Sequence, residues 1–155
     1  MEDDVNLRTV RVIADYQFGK GVGRALFPDT CTFILSTTGR VRQVVDNGQR
    51  IATLKPDSGW FTLSIEGARR LHSFLPYPRM RVVVMDEVSE FIAEGKSVFA
   101  KHVVEVDEDI RANDEVIVVN TKDELLATGR AVLSAFEMLE MERGMAVKVR
   151  QGVKK

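Results

Sequence analysis

The sequence predicts an α+β protein in two parts: a small α/β subdomain, then a small, partly closed β-barrel with short helices. Three observations predict it. Short β-branched and aromatic runs recur along the chain, separated by turn residues rather than by long helical periods. Asp46-Asn47-Gly48 joins two of those runs, and Asn-Gly tolerates the positive φ that a tight hairpin needs. Pro76-Tyr77-Pro78 interrupts the chain near its middle, where two prolines around an aromatic cannot continue a helix. The expected organisation is a flexible polar N-terminus (1–7), a first subdomain (8–76), a second subdomain (79–152) and a basic tail (153–155).

The first subdomain begins with residues 8–14, which alternate in part and are expected to form a strand. Gly19, Gly21 and Gly23 follow beside Lys20 and Arg24. Their spacing fails the dinucleotide fingerprint, because Leu26 stands where its third glycine would be, and it fails the P-loop pattern. A mobile or RNA-facing loop is expected instead. Strands are expected at 32–36, 40–45, 49–54 and 60–63, with a second turn at 55–59. Ser64 caps a helix over 65–75, which Pro76 stops. His72 lies on its apolar face with Ile65, Ala68 and Leu75, the setting of a core histidine rather than of a metal ligand.

In the second subdomain a strand is expected at 81–85. Val88, Phe91 and Ile92 then fall at i, i+3 and i+4, the apolar face of a short helix capped by Asp86 and ended by a left-handed Gly95. Residues 98–104 are strand-like. A glycine without Cβ lets another backbone approach, and Lys96 and Lys101 put positive charge beside it, a combination suited to a nucleic-acid backbone. Residues 107–115 form an acidic turn region in which Asn113 suits a left-handed position. Strands follow at 116–119 and 125–133, the latter with a bulge expected at Gly129. Ser134-Ala135-Phe136-Glu137 matches a capping box and opens a helix expected to end at Gly144, before a last alternating strand.

Composition bounds the chemistry. The 155 residues are 45% hydrophobic and 29% charged, as in ordinary globular domains. One cysteine, Cys31, cannot form an internal disulfide, no apolar run reaches membrane-spanning length, and the acidic start does not resemble a signal peptide. A cytoplasmic protein without membrane contact is expected. The net charge of −1 excludes a globally basic nucleic-acid binder, but the charges are segregated. Residues 8–50 carry Arg8, Arg11, Lys20, Arg24, Arg40, Arg42 and Arg50 against three aspartates, and residues 105–124 are acidic. The tail is basic again through Arg143, Lys148 and Arg150. That distribution permits a one-sided basic surface. No nucleophile–base set, zinc spacing or calcium-loop spacing is present, so no catalytic residue, metal or cofactor is expected.

Four phrases in order, Gly95-Lys-Ser-Val-Phe-Ala100, Ile110-Arg-Ala-Asn-Asp-Glu-Val116, Leu126-Ala-Thr-Gly-Arg-Ala131 and Arg143-Gly-Met-Ala-Val-Lys-Val-Arg150, resemble a PUA domain. The first half, through Ala14-Asp-Tyr-Gln-Phe-Gly-Lys-Gly21 and Thr62-Leu-Ser-Ile-Glu-Gly-Ala-Arg-Arg-Leu71, resembles the segment that precedes that domain in archaeal tRNA-guanine (archaeosine) transglycosylases. The resemblance implies a pre-PUA subdomain followed by a PUA-like β pseudo-barrel. The family's active site lies in a (β/α)₈ barrel, which takes more than about 200 residues by itself. No catalytic residue is therefore carried over.

What the resemblance implies is RNA binding, most of all to tRNA at its acceptor or 3′-end region. The implied surface is Gly95, Lys96, Ser97, Val98, Phe99, Ala100, Lys101 and His102, with Lys148 and Arg150, and with Arg79 and Arg81 at the domain entrance. Lys20, Arg24, Arg40 and Arg42 are secondary candidates. The chain departs from the common PUA pattern at Lys101-His102, where many members have a proline–glycine pair, and at Asn113, which replaces a glycine. The leading expectation is a tRNA-binding protein, acting alone or as an accessory subunit of a tRNA-modification enzyme. The alternative is an assembly subunit that docks a separately encoded transglycosylase barrel without RNA affinity of its own. A small-molecule enzyme built on Gly19–Gly23 is the third reading, for which nucleotide should stabilise the fold.

Overall fold

The computed structural model describes residues 2–154, and the chain divides into two compact units, one up to Phe74 and one from Leu75 on.

The first unit opens with α1 (Glu2–Phe18), and this corrects the strand expected at 8–14. Val10, Ala14 and Phe18 are buried at four-residue intervals, a helical stripe, whereas Val12 is 64% exposed. The partial alternation was thus the sequence's weaker period. The helix takes in residues from Glu2 on, including those whose composition suggested a frayed segment. Gly19 and Gly21 turn the chain at φ 128° and 87° into α2 (Val22–Leu26). Gly23 packs against α1, where a Cβ would meet the Arg11 carbonyl oxygen at 2.3 Å. Its N–H donates to Asp15 Oδ1 at 2.6 Å. Gly23 serves a close helix crossing and Gly19 and Gly21 the turn before it, so a turn and short helix stand where a loop was expected.

Strands β1 (Thr32–Leu35), β2 (Val41–Asp46), β3 (Gln49–Leu54) and β4 (Phe61–Leu63) form an antiparallel meander in that order. Asn47 and Gly48 both have positive φ, as the hairpin signal requires. Ser64 Oγ then accepts from the Gly67 N–H at the start of α3 (Ile65–Phe74). Val10, Val22, Leu26, Phe27, Val44, Ile51, Phe61, Leu63 and Leu71 are buried together as the core of this unit.

The second unit contains β5 (Arg81–Val84), α4 (Ser89–Ala93), β6 (Val98–Phe99), β7 (Val103–Val106), β8 (Glu115–Val119), β9 (Leu125–Ala131), α5 (Ala135–Glu140) and β10 (Met145–Gly152). Its six strands run in the order β6-β10-β9-β8-β5-β7, with only β5 and β8 parallel. The two edge strands are β6 and β7, yet only the 3₁₀ turn Ala100–His102 separates them in the chain. So short a link brings the edges of the sheet together, and the sheet is a nearly closed, PUA-like barrel. The continuous strand expected at 98–104 is therefore two short strands on opposite edges.

The helix before β6 also differs from expectation. A 3₁₀ turn, Asp86–Val88, precedes α4, and its tighter winding rotates the face: Ile92 and Ala93 are buried while Phe91 is 58% exposed. The Asp86 carboxylate accepts from the Thr121 N–H and hydroxyl instead of capping a helix. Gly95 does end the helix, at φ 104°, with its N–H on the Ile92 carbonyl and that of Lys96 on the Phe91 carbonyl, a Schellman arrangement. Asn113 is left-handed as expected, and Ser134 and Glu137 form the expected capping box, although α5 stops at Glu140. The bulge lies opposite Gly129 rather than at it. Val149 and Gln151 face the consecutive Gly129 and Thr128, which leaves Arg150 as the extra residue.

Candidate nucleic-acid interface

Side-chain alternation decides which residues of the 95–102 segment reach the surface. Val98 and Ala100 are buried, which turns Phe99 outward at 46% exposed and Lys101 into solvent. His102 stands edge-on to Phe99, with ring centroids 6.4 Å apart. Pairing with β10 places Phe99 beside Met145, and the Ala100 N–H donates to the Gly144 carbonyl at 2.9 Å. Phe99, Lys101, Glu142, Arg143 and Gly144 consequently line one open cleft of about 410 Å³.

Chemically this cleft offers an aromatic surface, two cations and one carboxylate. Gly144, at φ 104°, has nothing within 4 Å of the position a Cβ would take, and the same holds for Gly95. Both leave room for an incoming backbone. Ser97 is structural: its hydroxyl oxygen accepts from the Val149 N–H and ties the post-helix loop to β10. Lys96 is exposed next to Gly95. Arg143 and Gly144 belong to this cleft although sequence reasoning did not place them there. In the sequence they stood in the last PUA-like phrase, Arg143 as a cation of the basic tail and Gly144 as a helix end, and pairing between distant strands brought them in.

Other sequence candidates do different work. Arg81 is 2% exposed, and its guanidinium donates to the Leu75 and Arg79 carbonyls and pairs with Asp123 at 3.1 Å. It is a core organiser and presents no charge to a ligand, which corrects its place among the surface candidates. Arg79 is exposed. Lys148 is exposed in β10 directly opposite the exposed Arg130. Arg150, pushed out of register by the bulge, forms a two-pronged ion pair with Glu115. Val98 and Ala100 can offer only backbone.

In the first unit Lys20, Arg24, Arg40 and Arg42 are all exposed. The three aspartates between residues 8 and 50 are engaged elsewhere. Asp29 pairs with Arg11, Asp46 pairs with Arg70, and Asp15 accepts from Gly23. Residues 1–74 hold ten Lys and Arg against eight Asp and Glu, whereas residues 75–155 hold twelve against fifteen. The second unit is thus net acidic, and its cleft carries two cations against one carboxylate. Among the described residues no three His, Cys, Asp or Glu converge to hold a metal, and no helix is long and apolar enough to cross a membrane.

Comparison with known proteins agrees with this division. Residues 8–78 match the patch-forming domain C2 of tRNA-guanine transglycosylase, and residues 80–153 match the PUA domain. The tRNA-guanine(15) transglycosylase of Pyrococcus abyssi is 52% identical over 147 residues, 95% of this chain and 25% of that protein. That of Pyrococcus furiosus is 54% identical over 144 residues, 93% and 24%. The chain thus spans about a quarter of the length of the curated relatives it matches. Among solved structures, a hypothetical protein of Pyrococcus horikoshii superposes with a TM-score of 0.74 at 23% identity, covering 97% of this chain and 92% of that one. A conserved PUA domain protein of Thermoplasma acidophilum gives 0.67 at 18% identity, covering 100% and 92%. These two likenesses show the fold.

Proposed function

We propose that this chain, whose residues 8–78 match the patch-forming domain C2 of tRNA-guanine transglycosylase and whose residues 80–153 match the PUA domain, binds tRNA at the acceptor or 3′-end region. The cleft of Phe99, Lys101, Arg143 and Gly144 is the observation that carries the proposal. Aromatic rings stack on unpaired bases of any identity, and flanking cations neutralise phosphates. A terminal single strand supplies both. Lys96 and Lys148 add phosphate contacts on the same unit, and the exposed Lys20, Arg24, Arg40 and Arg42 are separate candidates on the first unit. The chain contributes binding rather than catalysis, either alone or together with a transglycosylase barrel.

Filter binding of intact tRNA and of tRNA trimmed at its 3′ end, across a salt series, tests this reading. Affinity should fall with a log–log slope of about −0.7 to −0.9 per phosphate neutralised, and trimming should weaken binding. No tRNA binding at low salt, or binding indifferent to salt, would overturn it.

A second reading has its own observation. Phe136, Leu139 and Met141 are 72%, 56% and 44% exposed in and beside α5, an apolar surface suited to a protein partner. On this reading the chain docks a transglycosylase barrel and has no RNA affinity alone. Copurification with such a barrel that Leu139→Glu abolishes, in the absence of any tRNA binding, would favour it.

A further inference from the structure

Outside the PUA cleft, the first unit stacks two exposed aromatic side chains on each other. Tyr16, 83% exposed, and Trp60, 42% exposed, stack with centroids 5.8 Å apart and planes 20° from parallel. Leaving two large rings in water forgoes the burial that normally holds aromatics inside. The pair is nonetheless built rigidly. The side-chain amide of Gln17, next to Tyr16, donates to the Phe61 carbonyl at 3.0 Å and accepts from the Phe61 N–H at 2.8 Å. Phe61, next to Trp60, lies on the sheet's edge strand β4. This two-way clamp satisfies the open edge and sets α1 in register with β4, so the rings meet without being buried.

One cation stands directly beside the pair. Lys55 stands across the ladder from Trp60, its N–H donating to the Trp60 carbonyl at 3.0 Å, and its side chain is exposed. Asp57 is the acid of that turn, and Asp15, which precedes Tyr16, has its carboxylate on the Gly23 N–H. Lys20 is exposed just beyond the end of α1. The unit as a whole carries two more cations than acids.

We infer that Tyr16 and Trp60 form a second stacking platform, which takes an unpaired base of the RNA while Lys55 meets its phosphate. The inference rests on the RNA-binding reading and assigns a contact separate from the Phe99 cleft. Two aligned planar rings leave an outer face open to a third ring, and stacking needs no particular base.

Trp60 is the sole tryptophan of the chain, so its emission reports directly on this site. The full chain is titrated with short single-stranded oligoadenylate and with a blunt RNA duplex. Oligoadenylate should quench Trp60 emission saturably, and the duplex should not. Tyr16→Ala and Trp60→Ala should each weaken oligoadenylate binding about 5- to 150-fold, while Trp60→Phe keeps most of the affinity. Thermal melting checks that the alanine variants fold. If oligoadenylate binds, and Lys101→Glu weakens it, while Trp60 emission and the Tyr16→Ala affinity stay unchanged, the platform is refuted and the RNA-binding reading stands. If neither RNA binds, the platform is refuted, and the RNA-binding reading falls with it only when intact tRNA at low salt also fails to bind.

Discussion

Arg150 grips Glu115 with two parallel bonds, Nη1 to Oε2 at 2.7 Å and Nη2 to Oε1 at 2.5 Å. The Glu115 side chain is 4% exposed and that of Arg150 32%, so the carboxylate depends on this partner more than the reverse. Removing Arg150 takes both of these bonds away from a buried carboxylate. Arg150→Ala should lower unfolding stability by about 2–3 kcal/mol, below the usual figure for a fully buried pair because the arginine keeps some water. The double variant Arg150→Gln with Glu115→Gln should recover more than half of that loss. Urea unfolding measures both, and equal losses in the single and double variants would contradict the assignment. Weakened RNA binding by Arg150→Ala alone would not identify a direct contact.

The PUA cleft predicts a contrast between its two cations, Lys101 and Arg143, and the buried Arg81. Lys101→Glu and Arg143→Glu should each weaken tRNA binding uniformly across tRNA sequences and lower the salt slope by about 1 or more, with little change in stability. Arg81→Ala should do the opposite: the fold loses stability through its Leu75, Arg79 and Asp123 partners. Binding measured under conditions where that variant remains folded should change little. A salt slope untouched by Lys101→Glu would remove that side chain from the interface.

Gly23 distinguishes packing from nucleotide binding. Its Cβ position lies 2.3 Å from the Arg11 carbonyl oxygen, a main-chain atom that cannot move aside. Gly23→Ala should destabilise the first unit by about 1–3 kcal/mol through overpacking between α1 and α2. The wild-type chain should show no thermal stabilisation by nucleotide. A rise in melting temperature with ATP or GTP would restore the phosphate-loop reading.

Two linked groups give this unit its pH dependence. The Thr30 hydroxyl donates to Asp46 at 2.6 Å and Arg70 pairs with it, which holds its carboxyl below the usual range despite burial. A depressed carboxylate pKa stabilises the fold above the unfolded value of about 3.9. That contribution disappears as pH falls through the lower folded value. Asp46→Asn should therefore flatten the acid limb of a stability–pH profile.

At the alkaline end, burial first and then the Asp46 charge push the Cys31 thiol up to about 11. The unfolded thiol ionises near 8.5, so stability should decline as pH rises between those values. Iodoacetamide at pH 8 should modify native Cys31 at least about 100-fold more slowly than the denatured chain. Rapid native alkylation would exclude a buried neutral thiol.

Local chemistry was sufficient for the turns and caps. Asn47-Gly48, Ser64, Gly95, Asn113 and the Ser134–Glu137 box each act within a few residues, so their sequences specify their geometry. The strands of the meander were likewise readable from β-branched runs between turn signals, and Phe99 and Lys101 of the candidate cleft lie in and beside the first PUA-like phrase. What the sequence could not decide depended on which face a neighbour covers. Residues 8–14 carried two periods, and only burial against the rest of the first unit selected the helical one. The strand expected across 98–104 had to break because its two halves pair on opposite edges of one sheet. Arg81 and Arg150 read as surface cations until tertiary packing gave them Asp123 and Glu115, 42 and 35 residues away in the chain. Charge is written in the sequence, whereas its availability to a ligand is set by which distant carboxylate the fold brings within reach.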